Sequence, residues 1–247
     1  FRKFEPVADF LRQHDIEAAL IERNLFTTPG HSAEEIYTAM KRFHVVRIEA
    51  SNEGIADMKA DERAHARVVA TAIRLYLDDD GGVILQPESV RYPNDDDEKY
   101  WNLVYEPFGL RMLHEGVYDE TRRYRPADAA RVEPAYWYTQ SMREHPITDG
   151  IKALFLPRRA HHPGPGIEAM DYSAAWEIIV RGEPEARSYR CGKGGNPNVL
   201  NTNKSGTYEA SPPIVAVRSV GAGRLVSYPV SNLVTGINYG NPLWSQT

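Results

Sequence analysis

The chain has 247 residues, is 42% hydrophobic and 26% charged, and carries a formal net charge of −5. A domain of this size buries about 70–75% of its unfolded surface, so it needs no staple, and a single cysteine rules out an internal disulfide framework. The acidic balance, unbroken by any Lys/Arg block, argues against a nucleic-acid partner, and no apolar run approaches the roughly 18–20 residues of a transmembrane helix.

Phe4, Val7, Ala8, Phe10 and Leu11 recur at helical spacing and predict an amphipathic helix. Ile16 to Ile21 reads as a buried strand. Ser32 is placed to N-cap a helix with Ile36, Met40 and Phe43 on one face, and Glu35 completes a capping box. His44 to Ile48 is a short β-rich run. A long helix starts at Asp61 and continues through Val69, Ile73 and Tyr76; Gly81-Gly82 ends it and feeds the strand Val83-Ile84-Leu85. Glu98 to Phe108 predicts another helix, closed by Gly109, with a strand at Leu110 to Leu113. This alternation of helix and apolar strand is the pattern of βαβ units and a parallel sheet.

The second half changes character. Residues 114–145 are rich in Arg, Tyr and Pro; 157–166 and 188–211 read as loops. Ile151 to Leu156 and Trp176 to Val180 predict strands. Ile214 to Val217 and Arg224 to Tyr228 predict a hairpin turning at Gly221-Ala222-Gly223.

Three segments together resemble the class I glutamine amidotransferase-like superfamily: Val68 to Leu85, His145-Pro146-Ile147-Thr148-Asp149-Gly150-Ile151, and Pro213 to Tyr228 with its Gly-Ala-Gly-Arg. ThuA-like domains and the trimerisation domain of some β-galactosidases are similar in order. The resemblance implies an α/β, flavodoxin-like three-layer sandwich with a mostly parallel sheet and an irregular, loop-rich second half. We read residues 1–247 as one such domain, with 114–145 and 157–211 as loop-rich insertions. Its first strand would precede Phe1, whether cleaved, disordered or supplied in trans. A signal peptide ahead of residue 1 would favour a periplasmic or extracellular location.

In that superfamily the strand before the elbow delivers a nucleophilic Cys. Here the elbow reads Gln86-Pro87-Glu88-Ser89, and Cys191 lies far along the chain with no base nearby. Glutaminase activity is therefore not expected. Glu88, at a strand's carboxyl end, is a candidate acid/base or sugar-binding group; the plainer reading is a solvated loop residue paired with Arg91. His161-His162, preceded by Arg158-Arg159, offers a base or a cationic patch for an acidic sugar. Adjacent His side chains seldom face one ion, and we assign no metal and no cofactor. The acidic runs at Asp78 to Asp80 and Asp95 to Glu98 lack calcium-loop spacing, and Gly192-Lys193-Gly194-Gly195 lacks that of a phosphate loop.

Tyr92, Tyr100, Trp101, Tyr118, Tyr124, Tyr136, Trp137 and Tyr138 make residues 92–138 aromatic-rich, which suits sugar rings, a subunit interface or half-buried anchors. We expect Gln86, Arg91, Arg158, Arg159, Tyr92 and Trp101 to be ligand-binding. The leading expectation is a non-catalytic accessory or assembly domain of a carbohydrate-active or cell-envelope protein, a homo-oligomer or part of a larger parent chain. The alternatives are a glycan hydrolase or lyase using Glu88 with His161 or His162, and a small-molecule sensor.

Overall fold

A computed structural model describes residues 11–22, 24–51, 58–88, 100–124, 136–157, 166–193 and 196–230. The predicted helix at Phe4 to Leu11 lies almost wholly outside them. Ile16 to Ile21 is not a buried strand: it runs as irregular chain, with Ile16 50% and Leu20 54% exposed. Helix α1 is a single turn, Asn24–Thr27.

Helix α2 spans Ala33–Met40. Ser32 and Glu35 form the expected capping box: the Glu35 amide donates to Ser32 Oγ at 3.2 Å, and the Ser32 amide donates to Glu35 Oε2 at 2.7 Å. Strand β1 (Val45–Ser51) leads to α3 (Ala60–Asp78), whose Val69, Ile73 and Leu77 share one face at helical spacing and are all buried. Burial of each large aliphatic side chain there contributes about 1.5–3 kcal/mol. Strand β2 (Gly82–Glu88) follows, then α4 (Tyr100–Tyr105) and a 3-10 turn, Glu106–Phe108. Gly109 ends that turn at φ 65°, where a Cβ would collide with the Ser173 side chain.

The remaining elements are strands: β3 Leu110–Tyr118, β4 Arg123–Tyr124, β5 Tyr136–Thr139, β6 Leu154–Pro157, β7 Glu168–Tyr172, β8 Glu177–Arg181, β9 Arg187–Lys193, β10 Asn196–Ser205, β11 Pro213–Val220 and β12 Gly223–Ser227. They overturn the expected flavodoxin-like, mostly parallel sandwich. The first sheet has the order β1-β2-β12-β11-β8, and only β1, β2 and β12 pair in parallel; β11 is antiparallel to both neighbours. The others, β10-β9-β3-β7 and β4-β5-β6, are antiparallel throughout.

The second half is strand-rich rather than irregular. Continuous apolar runs such as β11 signal burial on both faces, not strand direction. β9 and β10 are polar, yet their backbone groups pair with each other, so strands formed where apolar alternation was absent.

Side chains alternate across the first sheet. Val46, Ile48, Val83, Leu85 and Leu225 join the core beneath α2, α3 and α4. Val215 faces a second core with Val117, Trp137, Leu156, Ile167 and Ile179. Arg47, Glu49 and Gln86 alternate with the first set and therefore lie on the face away from α3.

Candidate functional site

The carboxyl ends of parallel strands are where α/β sheets place ligands. Here they are the ends of β1, β2 and β12, and the chain closes the space itself. After β12, the Tyr228 amide donates to the Leu85 carbonyl at 2.9 Å. The Glu168 amide then donates to the Pro229 carbonyl at 2.9 Å, and Val230 bridges to Ile167. Residues 228–230 thus cross the end of β2 and hook onto the second sheet.

Gln86 locks this crossing. It is 2% exposed, its Nε2 donates to the Val230 carbonyl at 2.8 Å, and its Oε1 accepts from Arg47 Nε at 2.7 Å. Arg47 also bonds Glu49 at 2.8 Å. A carboxamide is a poor nucleophile and neither gains nor loses a proton near neutral pH, and both ends of this one are engaged. The elbow position is therefore a structural tie. Arg47 and Glu49 are the partly exposed charges beside it, with side chains 34% and 41% exposed. The alternation Val46, Arg47, Ile48, Glu49 is the sequence signal that puts Arg47 and Glu49 on one face of β1. Tyr228 follows β12, and burial pushes its phenol well up; its hydroxyl has no partner.

A second polar centre lies between β3, β9 and the 206–208 turn. Glu115 is 5% exposed and accepts from Ser188 Oγ at 2.7 Å, the Thr207 amide at 2.7 Å and Thr207 Oγ1 at 2.9 Å. These partners fix the turn and leave the carboxylate committed. Asp119 is fully buried; its Oδ1 accepts from the Thr121 and Arg122 amides while Oδ2 has no partner. Among the described residues no group of three His, Cys, Asp or Glu side chains is arranged to hold a metal ion. None of their helices is long and apolar enough to cross a membrane.

Of the residues singled out from sequence, Gln86 is the buried tie. Glu88 ends β2, its backbone paired with Ser51; its side chain lies outside what is described, as do Arg91, Tyr92, Arg158, Arg159, His161 and His162. Trp101 is on α4, 2% exposed, among the helices on the other side of the sheet from Gln86.

No protein-family profile matches this chain, and no curated protein sequence matches it. Among solved structures it is similar to the cytoplasmic protein STM1381 from Salmonella typhimurium LT2, at 12% identity and a TM-score of 0.48, over 98% of this chain and 80% of that one. It is similar to the mmIFT52 N-terminal domain at 11% identity and a TM-score of 0.49, over 93% of this chain and 82% of that one. It also aligns with the exo-beta-1,4-mannosidase Op5Man5 from Opitutaceae bacterium strain TAV5 at 12% identity and a TM-score of 0.40, covering 99% of this chain but 29% of that one. Likenesses this distant assign neither a superfamily nor an activity, and no family profile places the chain among the amidotransferase-like proteins.

Proposed function

We propose that this chain is a non-catalytic accessory or assembly domain of a carbohydrate-active or cell-envelope protein. The observation that supports it best is Gln86, whose amide is bonded at both ends at the position where an elbow would present a nucleophile. Ile147, Ile151 and Phe155 are 45%, 46% and 37% exposed within one short stretch of chain, and an assembly contact would cover them.

The test has two arms on the same purified chain. Hydrolysis of aryl glycosides, oligosaccharides and glutamine is assayed, and solution mass is measured by light scattering across concentration. No turnover together with a mass above that of one chain is the expected result. Turnover abolished by Glu88→Gln would replace this reading with a glycan hydrolase or lyase, and a mass of one chain at every concentration would remove the assembly role.

A further inference from the structure

Among the helices sits a histidine that the strand-end site does not use. His65 on α3 is 3% exposed, with its ring 6.3 Å from that of Tyr100 and 6.4 Å from that of His31. Its ring reaches the backbone of Leu25, and its Nε2 has no hydrogen-bond partner. Next to it the Tyr100 hydroxyl donates to the Phe26 carbonyl at 2.8 Å. Two side chains therefore clamp α1 to α3 and α4, and Phe26, 7% exposed, is the apolar plug between them.

We propose that this clamp is an acid-sensitive latch, in which protonation of His65 releases residues 24–31 from α3 and α4. In the neutral ring Nε2 sits buried without a partner, among the rings of Tyr100 and His31. Protonation turns that nitrogen into a charged donor with no acceptor, which is unfavourable unless the site opens to water. The nearest carboxylates are already engaged. On α3, Glu62 accepts from the Lys59 amide; in the first turn of α2, Glu35 is tied to Ser32 and faces His31. α4 contributes the phenols of Tyr100 and Tyr105, and α1 has no ionisable side chain. The His31 ring beside it disfavours a positive charge on His65. Burial holds His65 below its ordinary range, so the docked state binds fewer protons than the open one. Docking is at full strength above about pH 6.5 and weakens as pH falls below it.

Amide hydrogen exchange on residues 24–31 of the whole chain, corrected for intrinsic rates, tests this between about pH 7.5 and 5. Protection there falls, by at most about tenfold per pH unit for one proton, while β2 and β12 stay protected; His65→Gln, which keeps a donor for Leu25 but does not titrate, removes the response. A response that persists in His65→Gln overturns the latch, as does uniform protection in the native chain. Should that variant not fold, NMR titration of the His65 ring in the native chain decides: a midpoint at or above the ordinary histidine value overturns the proposal, and a lower one supports it.

Discussion

Arg47 and Gln86 are joined across two parallel strands: Arg47 Nε on β1 donates to Gln86 Oε1 on β2 at 2.7 Å, and the same amide grips the Val230 carbonyl. Gln86→Leu keeps the approximate volume but strands the Arg47 donor and the Val230 acceptor. We expect a loss of about 2 kcal/mol, read as a lower urea midpoint with an unchanged slope. Arg47→Ala, at a partly exposed position, should cost less than about 1 kcal/mol. A reversed order would mean that the guanidinium, not the amide, ties the strands.

Glu115 accepts three hydrogen bonds, one of them from the Thr207 backbone amide, which can only donate. Glu115→Leu leaves that amide and the hydroxyls of Ser188 and Thr207 without their acceptor in a buried site. A loss of about 2–3 kcal/mol is expected, with faster exchange in residues 206–208. Thermal unfolding indistinguishable from the native chain would show that the turn does not depend on this carboxylate.

Burial pushes the phenols of Tyr100, Tyr105, Tyr172, Tyr208 and Tyr228 above the ordinary tyrosine value, Tyr208 to about 12. The unfolded chain therefore releases these protons first. Stability is fully present below about pH 10 and is lost as pH rises through the folded values. In a phenolate absorbance titration a late group of tyrosines should ionise together with loss of the circular dichroism signal. Titration of all 14 tyrosines in one step near pH 10 with the fold intact would contradict this.

Ser32→Ala removes the acceptor for the Glu35 amide and should cost about 1 kcal/mol. Ser32→Thr should recover most of it. Equal melting temperatures for all three proteins would mean that packing of Ile36 and Met40 alone holds α2.

What could be read from the sequence was local. The capping box of α2, the length of α3, the Gly109 stop and the β11–β12 hairpin depend on residues within a few positions of one another. Strand direction was not legible, because β11 has the same apolar run whether its neighbours are parallel or antiparallel. Nor were β9 and β10, whose polar sequences carry no burial signal and whose stability comes from pairing.

That position 86 holds a Gln, not a Cys or Ser, is legible along the chain. What that Gln does emerges on folding, because the partners of its amide are 39 residues earlier at Arg47 and 144 residues later at Val230. Hydrogen bonds between such distant groups exist only once the sheet has brought three chain segments to one edge. No spacing rule along the chain encodes that meeting.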